Sequence, residues 1–341
     1  MITAIVSTYN HASFIKNCIY AILAQGELIS KIIVVNDAST DNTVEVLNRI
    51  RAVEPKLLIL TNEENLGAIG GYKVGLKHVE TEFFSFLAAD DILMPSWASS
   101  SVLALSGSKM AAVCLSNTYI KDEDTGIITC TNIPKFLTNK YLSPENFCIS
   151  VIKYGVWYSS NTALFRMVRF NESSFLNELG PLNDRLMISA LGSSSGVVVV
   201  DKKLGCFYTR KKSMSGSVAS RNMSLILLNL FSYYLFKSNL FINIDKKFIS
   251  RVFLSTLYIY INEHLQFIVN NYKNLLTNLP YRRINALNIL LLQSLVIIFK
   301  ILGTLINKSP FLIIHEIFKR SRLSCEEVKY INDYECKIKN I

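Results

Sequence analysis

The sequence is poor in charge, glycine, proline and histidine. Only 18% of its 341 residues are Asp, Glu, Lys or Arg while 50% are hydrophobic, which excludes a disordered chain and allows a sizeable core. Fourteen Gly and 7 Pro leave no fibrous repeat and no low-complexity segment. The 4 His, at positions 11, 78, 264 and 315, show no ligand-like spacing and are expected to be structural or surface residues. Seven scattered Cys without a C-x-x-C pair read as reduced cytosolic thiols, not as a disulfide frame or zinc site. A P-loop is missing, and Gly67-Ala68-Ile69-Gly70-Gly71 is no dinucleotide fingerprint. Gly192-Ser193-Ser194-Ser195-Gly196 matches G-x-S-x-G, but it follows a helix candidate and precedes a strand candidate, the reverse of a nucleophile elbow. Residues 1–7 lack a basic n-region and a long apolar h-region, so no signal peptide is expected.

Positive charge is present, and it is placed unevenly. Residues 1–110 hold 8 Lys/Arg against 11 Asp/Glu, residues 111–220 hold 12 against 8, and residues 221–341 hold 16 against 7. Long aliphatic and aromatic runs interleave with the basic C-terminal residues, which favours an anionic membrane surface over nucleic acid as the partner. The length predicts about two domains.

Apolar runs and helix-period segments alternate through the first hundred residues. Strands are predicted at 2–7, 32–35, 57–60 and 83–88. Helices are predicted at 13–24, at 42–53 with Thr40 or Asp41 as cap, at 67–79, and at 95–105 with Pro95 in the first turn. Such alternation predicts a parallel sheet covered on both faces, with ligands at the carboxyl ends of the strands. A hairpin is then predicted from 111–120 and 127–131, a helix opens at Ser143-Pro144-Glu145, and strands at 162–165, 197–200 and 205–208 surround a helix at 182–191. From about residue 225 strand signals cease. Residues 289–306 hold 13 aliphatic or Phe residues among 18. These gain roughly 4 to 8 kcal/mol on insertion and the central Lys300 costs roughly 2.5 to 3.5, so spanning is marginal. Gln293, Lys300, Thr304 and Asn307 share a helical stripe, which favours a helix lying in the interface or packed on its neighbours.

Two acidic motifs follow strand candidates: Asn36-Asp37-Ala38-Ser39-Thr40-Asp41 and Ala89-Asp90-Asp91-Ile92. Adjacent carboxylates at a strand end repel each other, and a divalent cation removes the repulsion. The alternative for Asp90-Asp91 is an acidic pair facing a helix N-terminus before Pro95. Together with Ser7-Thr8-Tyr9-Asn10, Ala24-Gln25, Val34 to Asp41 and Asn65-Leu66-Gly67, the order and spacing resemble the family 2 inverting glycosyltransferases of GT-A fold, strongly over residues 2–106 and weakly over 107–217.

The resemblance implies an α/β, Rossmann-like, mostly parallel sheet with helices on both faces. Residues 1–220 would form this domain, with a nucleotide-binding half (1–106) and an acceptor half (107–220). An apolar, basic, membrane-associated helical region would occupy 221–341. It also implies roles by position. Tyr9 would stack on the nucleotide base, Asp37 would accept the base imino N–H, Ser7 would contact the nucleotide backbone, and Asp90 would bind ribose or donor sugar. Asp91 would ligate Mg²⁺ or Mn²⁺ on the diphosphate. The base would be Asp184 in Leu179-Gly180-Pro181-Leu182-Asn183-Asp184, with Glu172 and Glu178 in reserve. Three departures stand out: Asn36 replaces a commoner acid, Tyr72-Lys73 replaces a common Arg-Asn, and Thr209-Arg210-Lys211 stands where a His is common, so either the metal lacks that ligand or Arg210 and Lys211 contact the diphosphate.

The expected activity is transfer of a sugar from a nucleotide donor, a UDP-sugar above all, to a hydroxyl of a lipid-linked glycan at the cytoplasmic membrane face. The setting implied is surface polysaccharide assembly such as O-antigen or capsule. Two alternatives are transfer to the polyprenyl phosphate itself and a catalytically silent nucleotide-sugar-binding scaffold.

Overall fold

The structure, a computed structural model, describes residues 1–154, 158, 160–170, 183–210 and 321–340. The expectations for Glu172, Glu178, Lys211 and the run 289–306 lie outside the described residues.

The chain opens with β1 (Ile2–Thr8), α1 (Ile15–Leu23), β2 (Ile29–Asn36), α2 (Thr43–Arg51), β3 (Leu57–Thr61), α3 (Gly67–Leu76) and β4 (Phe83–Ala88). β1 lies between β2 and β4 and is parallel to both, and β3 pairs with the far side of β2. These strands are rich in Ile, Val and Phe because helices cover both faces. Every residue of β1 is buried. Side chains alternate between the faces: Ile5 packs with Phe84 and Phe86 beneath α3, while Ala4 and Val6 pack with Ile15, Ile19 and Ile22 of α1. Helix α3 can approach this closely because it presents glycine. A Cβ on Gly75 would lie 2.5 Å from Ile5 Cγ2, and one on Gly71 would lie 2.3 Å from Ser7 Oγ.

After β4 come β5 (Ile92–Leu93), α4 (Trp97–Ser106), β6 (Val113–Asp122), β7 (Ile128–Cys130), β8 (Lys140–Leu142), α5 (Pro144–Tyr154), β9 (Leu164–Arg166), α6 (Asn183–Ser195) and β10 (Val197–Thr209). β6 and β7 form the expected hairpin, pairing Tyr119 with Cys130 and Lys121 with Ile128. β9 runs antiparallel between β4 and β6, so the sheet is mixed beyond β4. The two strands expected at 197–200 and 205–208 form one strand, parallel to β6, with register shifts around Lys203. Exposed Asp201 and Lys202 interrupt the apolar pattern without interrupting the backbone. Gly196, at φ 72°, ends α6 and leads into β10, so the Gly192–Gly196 segment is a helix exit.

The C-terminal residues hold the main departure from the expected layout. β11 (Ser321–Arg322) pairs with β7, and α7 (Cys325–Lys339) packs on the first domain. Ser324 and Glu327 form a capping box at its start. Ile331, Tyr334 and Ile338, on one helical stripe, join Ile92, Met94, Tyr119, Cys206 and Tyr208 in a third apolar cluster. No helix among the described residues is long and apolar enough to cross a membrane.

Candidate active site

The strand order reverses at β1, so the carboxyl ends of β1, β2 and β4 open into a crevice. Ser7 stands level with Val35 and Ala88, and Thr8 with Asn36. Beyond these ends the β1–α1 and β2–α2 loops interlock. Asn10 Oδ1 accepts from Thr40 N (2.8 Å), Asn10 N donates to Ser39 Oγ (3.0 Å), and Ala12 N donates to Asp41 Oδ2 (3.1 Å). Asp41 also accepts from Thr43 N, the first residue of α2, while the cap position is Asn42, not the expected Thr40 or Asp41, and makes no side-chain capping bond. Asn10 and Ala38 adopt left-handed backbone, φ 58° and 59°; for Ala this is strain held by the surrounding bonds, a feature that clusters at functional sites.

The expected nucleotide residues share this crevice. Ser7 is nearly buried and Tyr9 leaves 42% of its surface exposed. Asp37 is buried; its Oδ1 accepts from Asn62 Nδ2 (2.7 Å) and Leu66 N (2.9 Å), and its N–H donates to Thr8 O (2.8 Å). One carboxylate oxygen is therefore engaged in fixing the β3–α3 loop beside the crevice.

Asp90 and Asp91 leave the end of β4 in a turn, with Asp91 N donating to Ala88 O (3.2 Å), and β5 follows directly. The alternative of an acidic pair at a helix N-terminus is not met, because β5 intervenes and α4 starts only at Trp97. Gln25 explains its own place in the pattern. Its Nε2 donates to Met94 O and its Oε1 accepts from Ala98 N, both at 3.1 Å, so it braces the segment behind the acids.

Asp91 is buried and accepts from Tyr208 N (3.2 Å). Burial, and next the charge of Asp90, hold its carboxyl well above the ordinary range. Asp90 pairs with Arg210 (2.7 Å), which also pairs with Glu123 and lies over the Phe14 ring, 3.9 Å from its centroid. The structure thus brings Arg210 to the site, on the acids. A cleft of about 150 Å³ is lined by Phe14, Cys18, Asp90, Asp91, Tyr208 and Arg210, with Ile338 and Lys339 of α7.

Asp184 lies in the first turn of α6, where Ser160 Oγ donates to it. Burial raises its carboxyl, and its charge in turn raises both Asp91 and the phenol of Tyr72. Tyr72 is raised mainly by burial, then by Asp184, Asp91, Asp90 and Cys18. It therefore lies within electrostatic reach of acids from β4 and from α6. Asp37 and Tyr9, at the ends of β2 and β1, do not line that cleft.

Sequence reasoning passed over three residues here. His11, read as structural, stands near Asp90 and Arg210, with its pKa lowered by burial. Its Nδ1 accepts from Tyr9 N (3.3 Å), so the neutral ring carries its proton on Nε2. Its position directly after Tyr9-Asn10 was the available signal. Glu123, in the hairpin turn, and Glu335, on α7, reach the cleft from segments that no local pattern connects to it.

The residues fit a divalent cation. Buried Asp91 and its neighbour Asp90 have one counter-charge between them, the Arg210 guanidinium, and Glu123 shares it. No group of three His, Cys, Asp or Glu gathers among the described residues. Asp91 would therefore hold a metal together with oxygens of a ligand and water, a usual arrangement for Mg²⁺.

Residues 3–166 match the family described as Glycosyl transferase family 2. An uncharacterized glycosyltransferase of Haemophilus influenzae is 27% identical over 179 residues, 52% of this chain and 54% of its own length, so this chain spans about half of that relative. The structure of S. aureus TarS 1-349 in complex with UDP-GlcNAc superposes with a TM-score of 0.58 at 18% identity, covering 80% of this chain and 74% of that one. The mannosyltransferase PcManGT from Pyrobaculum calidifontis, in complex with GDP-Man and Mn2+, gives 0.55 at 15%, covering 92% and 84%. At these identities the two structures show a shared GT-A-like fold. Residues 3–166 thus carry a glycosyl transferase family 2 domain.

Proposed function

We propose that the chain is an inverting, metal-dependent glycosyltransferase that moves a sugar from a nucleoside diphosphate donor, a UDP-sugar, to a hydroxyl of a lipid-linked glycan. The observation that carries the reading is the convergence of acids from the end of β4 and from a distant helix. Asp90 and Asp91 leave β4 beside the strand end that bears Ser7 and Tyr9, and the field of Asp184 on α6 reaches Asp91. The UDP-GlcNAc and GDP-Man complexes of the two similar structures support a nucleotide-sugar donor, and the Mn2+ in one of them supports the metal.

Tyr9, exposed at the mouth, offers a ring face to the base, and Asp37 offers an acceptor to its imino N–H. Ser7 contacts the nucleotide backbone, and Asp90 holds hydroxyls of the ribose or donor sugar. A divalent cation on Asp91 would neutralise the charge that develops on the departing diphosphate. Arg210, and Lys211 after it, would supply further positive charge once the donor displaces Arg210 from Asp90. Asp184 takes the proton of the acceptor hydroxyl as its oxygen bonds to the anomeric carbon, and the carbon–phosphate oxygen bond breaks with its electron pair leaving on the nucleoside diphosphate. Attack opposite the leaving group inverts the anomeric centre.

The basic, apolar composition of 221–341 supports a peripheral position on the cytoplasmic membrane face. Assembly of a surface polysaccharide such as O-antigen or capsule fits that position. The test is a thermal-shift screen of nucleotide sugars with MnCl₂. A true donor at about 100 times its Kd adds about 2.7 kcal/mol, and Asp91→Asn removes the Mn²⁺-dependent part of that gain. Overturning the reading would take a screen in which no nucleotide sugar stabilises the chain.

A further inference from the structure

The cleft containing Asp90 and Asp91 has a wall built from the far end of the chain. Glu335 of α7 is 8% exposed. Tyr208 donates its hydroxyl to Glu335 Oε1 (2.6 Å), and Lys121 Nζ pairs with both carboxylate oxygens at 3.0 and 2.8 Å. The backbone N–H of the same Tyr208 donates to Asp91 Oδ1 (3.2 Å). The adjacent Tyr334 donates its hydroxyl to Leu93 O (3.1 Å), two residues beyond Asp91. Helix α7 therefore grips both strands that frame the buried acid, β10 and β5, which are themselves paired through Cys206 and Ile92.

Apolar packing alone could have docked this helix, since Ile331, Tyr334 and Ile338 already form its buried stripe. A buried carboxylate adds little net stability over an apolar replacement, but it fixes geometry when its partners are satisfied. Here both oxygens are satisfied, and the partner it fixes is the residue whose N–H holds Asp91. We infer that Glu335 is a positioning residue of the donor site: through Tyr208 it sets where Asp91 stands, and α7 is a working part of the site. The inference rests on the donor-site reading above.

The test uses the full chain, titrated calorimetrically with UDP in MnCl₂ and with UDP alone, alongside melting temperatures. Tyr208→Phe keeps the ring and the N–H to Asp91 and removes only the hydroxyl that meets Glu335. Glu335→Ala removes the acceptor, and Glu335→Gln restores an acceptor for Tyr208. Outer partners of metal ligands are worth about 10- to 100-fold in affinity. Glu335→Ala and Tyr208→Phe should weaken Mn²⁺-dependent UDP binding toward the low end of that range, since both keep the N–H on Asp91, with metal-free binding unchanged and Tyr208→Phe melting no lower than Glu335→Ala. Glu335→Gln should recover most of the loss. Wild-type UDP binding in all three variants overturns the inference and leaves the donor reading standing. Losses that track melting temperature, with Glu335→Gln no better than Glu335→Ala, also overturn it, because that is a purely structural role. Failure of the wild-type chain to bind UDP with Mn²⁺ overturns the donor reading and this inference with it.

Discussion

The Asp184 carboxyl is buried, and burial holds it above the ordinary carboxylate range. The folded chain then binds that proton more tightly than the unfolded chain does. Between the ordinary carboxylate value and the raised one, stability falls as pH rises, and the contribution is fully present only below the unfolded value. Turnover has the opposite sign, because a base must be ionised to accept a proton. Rate is lost as pH falls through the raised value. Asp184→Asn removes both effects: near neutral pH the variant should melt higher than wild type, and kcat should drop by about 10²- to 10⁴-fold. Melting curves and initial rates across the weakly acidic range check both, and an unchanged kcat would remove Asp184 from the role of base. The position of Asp184 was legible because the acid follows Gly180-Pro181 at a helix opening. Its pairing with Ser160 was not, since a hydrogen bond between a loop and a helix 24 residues apart leaves no local trace.

At the scale of elements, α3 shows how glycine spacing places a site. Gly71 and Gly75 are one turn apart on the face against β1, and each substitution meets a different neighbour. Gly75→Ala pushes on Ile5 in the core. Overpacking costs about 1–3 kcal/mol, partly offset by up to about 1 kcal/mol of helix propensity, and nucleotide affinity should stay at wild type. Gly71→Ala pushes on Ser7 at the crevice and should weaken UDP binding more than it lowers the melting temperature. Calorimetry and thermal melts separate the two; equal effects of both variants on affinity would show that Ser7 does not contact the nucleotide. The C-terminal helix allows a milder test. Its capping box rests on Ser324, so Ser324→Ala should cost about 1 kcal/mol and raise amide exchange in the first turn of α7. Unchanged exchange there would mean that the Lys203–Glu327 pair, at 2.6 Å, fixes the end instead.

At the scale of the molecule, the parallel half was legible and the closing wall was not, for one physical reason. In the half built from β1 to β4 each strand is a short apolar run and each acid follows one directly, so local pattern and tertiary position coincide. Helix α7 has a narrow apolar stripe among charged residues and sits at the end of a basic region, so its sequence reads like the segment before it. Only contacts across more than 120 residues, such as Tyr208 with Glu335, distinguish it. Thr209 pairs with Asp122 on β6, and Ser321 pairs with Cys130 on β7, so the described chain leaves and rejoins at the same hairpin. The intervening residues 211–320 carry 14 Lys/Arg against 3 Asp/Glu. Near an anionic surface each basic residue is worth about 1 kcal/mol, screened within a Debye length. The full chain should therefore float with vesicles containing anionic lipid, bind vesicles of neutral lipid more weakly, and lose part of the difference at high salt. Apolar burial would retain the remainder. Equal partition into neutral and anionic vesicles would assign the binding to the apolar runs alone. Absence of flotation in both would remove the membrane from the proposal while leaving the donor site, whose described residues all lie outside that segment, as it stands.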